Sequence, residues 1–329
     1  MTPSKRPVLV APDKFKGTLT AGEAAAAIAD GLARVGIDSD ICQIADGGEG
    51  TLEIVVDALG GEIVECPTSD ALGRPIAGRF ARLDAKTALV QSADAIGLQL
   101  ISERDRDAVA ASSRGVGELI AAAAETGVRE VLVAVGGTAS TDGGAGALEI
   151  LRDLKGLPKL TVLCDVRAAW EQAPVVFAPQ KGATESEVVV LSARLEEFAA
   201  ALPQDPRGKL MTGAGGGLAG GLWSVCGAQL KSGAGYVLDQ VDFTARMRAS
   251  RAVITGEGSL DRQTLLGKAV GEVATRARQA GVPCHAIVGT MEMTEFDARI
   301  LDFESVVEAG SAEAVAGAAE SLSDVLAQY

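Results

Sequence analysis

Short runs of β-branched and aliphatic residues alternate along this chain with alanine-rich segments that repeat at helical spacing. Val8 to Ala11 and Val131 to Val135 are apolar runs of strand length, and the segment 113–126 has the period of an amphipathic helix. Such alternation is typical of βαβ units, in which a helix connects two parallel strands. The pattern therefore predicts an α/β protein with a doubly wound, mostly parallel sheet.

The remaining elements follow the same pattern. Further strands are predicted at Ser39 to Ile44, before Cys164-Asp165, at Ala252 to Thr255 and at His285 to Val288. Thr20 precedes an alanine-rich helix with Glu23 in its first turn, and further helices are predicted at Leu52 to Leu59 and from about Lys268. Gly256 to Asp261 reads as a loop that follows its strand.

The pattern changes between Glu62 and Ala93, where short alternating runs are broken by glycines and prolines. This favours antiparallel hairpins and marks the start of a second domain. We expect residues 1–64 with about 250–329 to form a discontinuous Rossmann/flavodoxin-like α/β domain, and about 65–249 to form an inserted α/β domain.

Composition narrows the class of protein. Hydrophobic residues make up 47% of the chain and aromatic residues 3%, and there are 40 glycines, well above average use without a collagen period. The net charge of -14 repels a nucleic-acid backbone, so we expect no nucleic-acid partner. Five scattered cysteines without CxxC spacing argue against a zinc site. No apolar stretch is long enough for a membrane span, and we expect a cytoplasmic protein.

Glycine-and-acid loops follow the predicted strands, and ligands of open parallel sheets bind at the carboxyl ends of strands. The loop 45–51 has Asp46 and Glu49 beside Gly47 and Gly48, directly before a helix. The loop 136–144 adds further candidate ligand-binding residues, which are Gly137, Thr138, Ser140, Thr141 and Asp142. Glycine N–H groups bind phosphate, and carboxylates hold Mg²⁺ or accept a hydroxyl proton. Each loop could also be a solvated turn that caps a helix.

A third stretch, 254–268, contains Glu257, Asp261 and Lys268, and its binding and structural interpretations are equally supported. Positive charge for a phosphate must come from lysines. The candidates are Lys14 and Lys16, which follow Asp13 at the end of the first strand, and Lys181. Surface lysines are common, so a binding role rests on their strand-end position.

Other chemistries are less well supported. Gly215 to Gly220 matches the dinucleotide fingerprint, with Asp239 near the expected ribose-binding position, so an NAD(P)-dependent oxidoreductase is an alternative. The preceding residues form a poor strand, however, and tight helix packing explains these glycines better. The chain has no Walker P-loop motif. Its single histidine, His285, lies in an apolar run, so carboxylates must do the acid-base work.

Six loops in order resemble the type I glycerate kinases of bacteria. They are APDKFKGTLTAGEAA, ADGGEGT, GGTASTDGGAG, FAPQKGA, TGAGGGLAGGL and ITGEGSLD, and they span about residues 8 to 290. The resemblance implies transfer of the γ-phosphate of ATP, with Mg²⁺, to a hydroxyl of D-glycerate, giving 2-phosphoglycerate. It also implies a two-domain α/β scaffold with the active site in the cleft between the domains.

The family's motifs fall on Asp13, Lys16, Asp46, Glu49, Asp142, Asp165, Lys181, Glu257 and Asp261. The individual roles are our own inference: we expect Asp142, Lys16 and Asp261 to be catalytic, with Asp142 as the base, Asp46 or Asp261 on Mg²⁺ and Lys16 on a phosphate or on the glycerate carboxylate. The chain departs from the family at Arg167 to Trp170 and at Gln91, where Glu is common. A non-catalytic protein that binds a phosphorylated metabolite is a further alternative, and the sequence leaves open whether the chain forms a homodimer.

Overall fold

A computed structural model describes residues 6–15, 17–262 and 264–329. The chain forms two compact units, which we call unit 1 (Met1–Ala45 with Val237–Tyr329) and unit 2 (Asp46–Tyr236). Unit 2 is thus an insertion in unit 1. Within the described residues, no helix has the length and apolarity that crossing a bilayer requires.

Eleven strands run through the described part of the chain. They are β1 (Val8–Pro12), β2 (Ser39–Ile41), β3 (Glu62–Ser69), β4 (Pro75–Arg82), β5 (Thr87–Gln91), β6 (Glu130–Ala134), β7 (Lys159–Cys164), β8 (Gln229–Ser232), β9 (Ala252–Leu260), β10 (Cys284–Met291) and β11 (Ser305–Glu308).

The helices of the same residues alternate with these strands. They are α1 (Ala21–Arg34), α2 (Thr51–Leu59), α3 (Ala93–Ile96), α4 (Arg114–Glu125), α5 (Ala145–Arg152), α6 (Gln172–Phe177), α7 (Glu185–Ala201), α8 (Leu218–Cys226), α9 (Gly233–Gln240), α10 (Phe243–Ala249), α11 (Ala269–Ala280), α12 (Glu295–Leu301), α13 (Ala312–Ser321) and α14 (Ser323–Leu326). Short 3-10 turns lie at Leu98–Leu100, Glu103–Asp105, Pro179–Lys181 and Thr264–Leu266.

Unit 1 is built on a parallel five-stranded sheet in the order β11-β10-β9-β1-β2. Helices α1 and α13 pack together over one face, where Val8 and Val10 of β1 join their core. Helix α11 covers the other face with Val270 and Ala274, against Val288 of β10. Because side chains alternate along a strand, β9, β10 and β11 contribute to both cores. The predicted doubly wound parallel sheet is confirmed.

Unit 2 has a six-stranded sheet in the order β3-β4-β5-β6-β7-β8. The pairs β3–β4 and β4–β5 are antiparallel, and β5 to β8 are parallel. The predicted hairpins between Glu62 and Ala93 are therefore present. One large apolar cluster, which includes Val131, Val133 and Val162, forms the core with α4, α5 and α8. The second, inserted α/β domain of the prediction is thus confirmed.

Local sequence explains the start of α1. Thr20 accepts a hydrogen bond from the Glu23 N–H at 3.2 Å, and the Glu23 carboxylate accepts one from the Thr20 N–H at 2.8 Å. This capping box satisfies two donors that a helix terminus otherwise leaves unpaired. It begins the helix at the residue that the sequence predicted.

The strand at β9 is longer than predicted. We expected a loop from Gly256 onward, but β9 continues to Leu260 and pairs with β10 as far as Met291. A Cβ on Gly256 would lie 2.1 Å from the Ile287 oxygen, and one on Gly289 would lie 2.4 Å from the Gly258 oxygen. Glycine is required here for close approach of the strands rather than for a turn.

The compact units also divide at other positions than the predicted boundaries near 64 and 250. The division falls at Ala45/Asp46 and Tyr236/Val237. The loop 46–51 and helix α2 belong to unit 2 because they contact its sheet, with α2 against β4 and β5.

Candidate active site

In unit 2, the loop 46–51 lies against the carboxyl ends of the parallel strands. The Gly136 N–H, just after β6, donates to the Gly47 oxygen at 3.0 Å. A Cβ on Gly136 would lie 2.6 Å from the Cα of Gly48, and one on Gly233 would lie 2.2 Å from the Asp46 oxygen. Only glycine permits backbones to approach this closely. The glycines of this loop therefore bring three strand-end segments together.

Two carboxylates lie at this meeting of loops. Asp46 Oδ1 accepts a hydrogen bond from the Gly48 N–H at 2.9 Å, which closes a tight turn. Asp165 follows β7, and its Oδ2 is 3.1 Å from the position that a Cβ on Gly136 would take. Both are half-buried, whereas Glu49 of the same loop is exposed. Asp46 and Asp165 thus present oxygen ligands at the carboxyl ends of β6 and β7.

Lys181 places a positive charge inside unit 2. Its side chain is buried, and Nζ donates to the Ser140 oxygen at 2.5 Å and to Thr138 Oγ1 at 3.4 Å. Burial lowers the pKa of Lys181 to about 8, and the nearby charges of Asp165 and Asp142 raise it in part. An ammonium group held in a low-dielectric position interacts strongly with any anion that comes close.

The hydroxyl groups of the loop 136–144 support an anion site. Ser140 Oγ and Thr141 Oγ1 are fully buried and find no hydrogen-bond partner among the described residues. Buried hydroxyls without a partner are unusual and need an explanation such as a bound ligand. Gly137 has a φ of +75° and accepts a hydrogen bond from the Leu98 N–H at 2.9 Å, which fixes the start of the loop.

Asp142 has a different environment from the one expected of a base. Its Oδ2 accepts hydrogen bonds from the Ser113 N–H at 2.8 Å, the Ser113 hydroxyl at 2.8 Å and the Gly146 N–H at 3.2 Å. Its Oδ1 accepts one from the Gly144 N–H at 3.1 Å. Three donors thus converge on Oδ2 and one on Oδ1, so hydrogen bonds within unit 2 take up most of the accepting capacity of this carboxylate. Asp142 therefore connects the start of α4 with the start of α5.

A cavity of about 460 Å³ borders the far side of this carboxylate. Glu149 and Glu197 line it with Asp142, and Arg194 is its cationic side chain. The acidic lining disfavours a phosphate, so this cavity does not extend the anion site at Lys181.

Unit 1 holds the other predicted residues. Asp13, which follows β1, is buried, and its Oδ1 accepts a hydrogen bond from the Lys14 N–H at 2.7 Å. Glu257 on β9 is buried and accepts a hydrogen bond from the Thr264 hydroxyl at 2.6 Å. Lys16, which the sequence predicted as catalytic, lies outside the described residues.

One functional candidate in unit 1 was missing from the predicted site residues. Lys268 Nζ lies 3.5 Å from Glu257 Oε2 and 3.4 Å from Asp261 Oδ1, just before α11. It therefore holds two predicted carboxylates together. The sequence placed Lys268 in the same stretch, 254–268, but it did not show that the Lys268 side chain contacts both carboxylates.

The structure also bears on the alternative chemistries. The described residues directly before Gly215, from 202 to 214, form no strand, although the dinucleotide fingerprint requires one there. A Cβ on Gly221 would lie 2.2 Å from the Gly143 oxygen, so these glycines pack α8 closely against its neighbours. His285 is buried, with Nδ1 2.7 Å from Ser305 Oγ, and burial lowers the pKa of His285 to about 4.

The carboxylates of the site determine whether it could hold Mg²⁺. Among the described residues, no group of three or more His, Cys, Asp or Glu side chains could hold a metal ion. Mg²⁺ is commonly bound through one or two carboxylates, with substrate phosphates and water completing its shell. The half-buried oxygens of Asp46 and Asp165 fit that requirement.

Comparison with known proteins identifies the family. The sequence profile of the Glycerate kinase family matches residues 8–154 and 152–328. The chain is 36% identical to the glycerate kinase of Bacillus subtilis (strain 168) over 324 residues, covering 86% of this chain and 85% of that relative. It is 32% identical over 324 residues to the glycerate 2-kinase of Escherichia coli (strain K12), with the same coverage.

A solved structure agrees with the sequence comparisons. The putative glycerate kinase 2 from Salmonella typhimurium LT2 has a TM-score of 0.76 and 30% sequence identity, covering 99% of both chains. The same family is indicated by the order of the strand-end loops, by the fold and by the sequence relatives. The chain belongs to the glycerate kinase family.

Proposed function

We propose that this protein transfers the γ-phosphate of ATP to a hydroxyl of D-glycerate and produces 2-phosphoglycerate. The observation that carries the proposal is the buried Lys181 ammonium beside the unpaired hydroxyls of Ser140 and Thr141. Ser140 and Thr141 follow the parallel strand β6, and Lys181 ends the 3-10 turn after α6, in a chain of the glycerate kinase family. Phosphoryl transfer depends mainly on positioning and electrostatic stabilisation, and such a site supplies both.

Lys181 and the loop 136–144 are the proposed phosphate-binding groups. The ammonium of Lys181 stabilises the negative charge that develops on the transferred phosphoryl group. The hydroxyls of Ser140 and Thr141 donate hydrogen bonds to the oxygens of that group. The glycines of the loop 46–51 allow backbone to approach the phosphates, since no Cβ projects there.

Asp46 and Asp165 have separate proposed roles. Asp46 holds Mg²⁺, which neutralises negative charge on the phosphates when it is bound. Asp165 orients the glycerate hydroxyl and accepts its proton while the hydroxyl oxygen bonds to the γ-phosphorus and the bond to the β–γ bridging oxygen breaks. ADP leaves with that bridging oxygen. Asp165 suits this role by its position, because it follows β7 and lies beside the loop 46–51 and the charge of Lys181.

Asp142 as the base remains a prediction from the sequence, and its four hydrogen bonds argue instead for a role in holding the loop. For Asp13 and Glu257 in unit 1 we keep the proposal of substrate or nucleotide binding, and for Asp261 we keep that of a catalytic or Mg²⁺-binding residue. Lys268 keeps the last two carboxylates in contact.

The proposal is tested by incubating purified protein with ATP, Mg²⁺ and D-glycerate and following ADP release with a coupled assay. Phosphorus NMR of the product then distinguishes phosphorylation of the 2-hydroxyl from that of the 3-hydroxyl. L-glycerate in place of D-glycerate and GTP in place of ATP define the acceptor and the donor. Release of ADP without a phosphorylated glycerate would contradict the proposal.

A non-catalytic binding protein gives a different result. It would bind ATP or a phosphoglycerate in calorimetry without releasing ADP in the presence of D-glycerate. The oxidoreductase alternative lacks the strand that its fingerprint needs, and quenching of NADH fluorescence on addition of the protein would be required to restore it.

A further inference from the structure

Helix α2 begins directly after the loop 46–51, but its own sequence does not cap it. The residue before the helix is Gly50, which has a φ of +91° and no side chain to accept a hydrogen bond. The first N–H groups of a helix need partners, and side chains normally provide them. The cap must therefore come from elsewhere in the fold.

Gln91, the last residue of β5, provides it. Its side chain is buried, with 1% exposure, and its Oε1 accepts a hydrogen bond from the Leu52 N–H at 3.0 Å. Its Nε2 donates to Asp94 Oδ1 at 2.9 Å. The neighbouring Ser92 donates from its backbone N–H to the Ala134 oxygen at 2.8 Å. One end of β5 thus connects the start of α2 to the end of β6.

The amide orientation of Gln91 is set by charges around it. Asp94 on α3 is paired with Arg79 on β4, with Arg79 Nε 3.0 Å from Asp94 Oδ2. Arg79 also contacts the Glu53 carboxylate on α2. A carboxylate at Asp94 accepts from the amide nitrogen, which leaves the amide oxygen facing α2. These are the charged groups that face Gln91 from the elements packed around it.

We propose that Gln91 is a positioning residue that fixes the ligand-binding loop 46–51 by capping α2, and that the Asp94–Arg79–Glu53 chain fixes its orientation. This inference rests on the proposed function, because it assigns the loop to substrate or nucleotide binding. Glutamate has the same shape but two acceptors, so it cannot donate to Asp94. In this chain, where Asp94 accepts a hydrogen bond from residue 91, that residue must be an amide and not only a side chain of the same size.

The test exchanges the amide of Gln91 and the carboxylate of Asp94. Gln91→Glu places two carboxylates side by side, while the double variant Gln91→Glu with Asp94→Asn restores one donor and one acceptor across the contact. At pH 8 we expect Gln91→Glu to lower kcat/KM for ATP and D-glycerate at least tenfold. The loss should shrink below pH 6, where the carboxylate pair holds a proton, and the double variant should return to within about threefold of wild type.

Hydrogen exchange measures how well the backbone amides of the loop 46–51 are protected, and it does not depend on enzyme activity. In Gln91→Met, which has neither polar atom, amides of 46–52 should exchange at least tenfold faster than in wild type, while amides of β6 and β7 stay unchanged. Gln204→Glu, an exposed change in the same unit, is the control and should alter neither measurement. Unchanged exchange in Gln91→Met, or a double variant as impaired as Gln91→Glu, would overturn the inference. A wild-type protein without glycerate kinase activity would instead refute the proposed function and leave the exchange experiment to decide the capping role.

Discussion

Replacement of Asp142 by asparagine separates two explanations of this residue. If Asp142 is a general base, Asp142→Asn should lower turnover by about 10² or more and leave the folding free energy unchanged. If it holds α4 and α5 together, the main loss should be in stability. The structure favours the second outcome, because Ser113, Gly144 and Gly146 donate to both carboxylate oxygens.

The expected loss of stability follows from these contacts. Asparagine keeps one oxygen, which can face Ser113 and Gly146, but its NH₂ group then faces the Gly144 N–H. A hydrogen bond to a charged group contributes about 1.5–3 kcal/mol and a neutral one about 0.5–1.5 kcal/mol, while a buried unpaired N–H costs about 1–3 kcal/mol. After partial relaxation of the loop, we expect Asp142→Asn to lower the free energy of unfolding of unit 2 by about 3 kcal/mol.

Urea unfolding followed by tryptophan fluorescence reports this change in unit 2 alone. The chain has two tryptophans, Trp170 and Trp223, and both lie in that unit. Trp170 is buried and donates from its indole to the Leu195 oxygen at 3.0 Å, so unfolding changes its environment. The shift of the urea midpoint at constant slope gives the difference in free energy.

Asp153→Asn is the matched control. Asp153 lies just after the other end of α5, its side chain is 83% exposed, and its ion pair with Arg152 measures 3.8 Å. We expect a change within about 0.5 kcal/mol, as for most surface substitutions. An Asp142→Asn protein with the wild-type urea midpoint and a hundredfold lower kcat would refute the argument that Asp142 holds α4 and α5 together. That result would support Asp142 as the general base.

Three further predictions test the site and the fold. Lys181→Met should leave the free energy of unfolding unchanged or raise it, because a buried charge is removed, while kcat/KM falls at least 10²-fold in the kinase assay. Gly136→Ala should reduce kcat/KM at least tenfold, since its Cβ would lie 2.6 Å from the Gly48 Cα, whereas Gly317→Ala, with nothing within 4 Å, should not. The pKa of His285 is about 4 in the folded protein against 6.5 for an ordinary histidine, so the unfolded state binds more protons between these values. Stability should therefore fall by about 1.4 kcal/mol per unit as pH drops through that window, and calorimetry should show a shallower fall in His285→Asn.

The sequence predicted the elements whose signals are local. The Thr20 cap, the hairpins after Glu62 and the apolar strand ending before Gly136 all depend on spacing within a few residues. The continuation of β9 through Gly256 to Leu260 was not predictable in this way. Glycine there serves a neighbouring strand nearly thirty residues ahead in the chain, and the same residue type also marks loops.

The candidate site was predicted as a set of loops but not as a set of contacts. The order of motifs placed Lys181 and Ser140 in the site, and the structure brings them to 2.5 Å across forty-one positions of sequence. The partner of Asp142 could not be predicted, because Ser113 lies twenty-nine positions earlier at the start of another helix. Side-chain partners separated by this distance are set by tertiary packing, so a single sequence predicts the residue types of the site but not the contacts that define their roles.

An acidic protein can bind the proposed anionic substrates because the Lys181 ammonium is buried. A net charge of -14 produces a field that repels ATP and glycerate at long range. A charge inside the protein is weakly screened, so the buried ammonium of Lys181 acts on a nearby phosphate more strongly than a distant surface carboxylate does. The pKa of Lys181, about 8, reflects the opposing effects of burial and of the Asp165 and Asp142 charges. A bound phosphate would add a third negative charge beside the ammonium and raise that pKa, so binding and protonation of Lys181 reinforce each other.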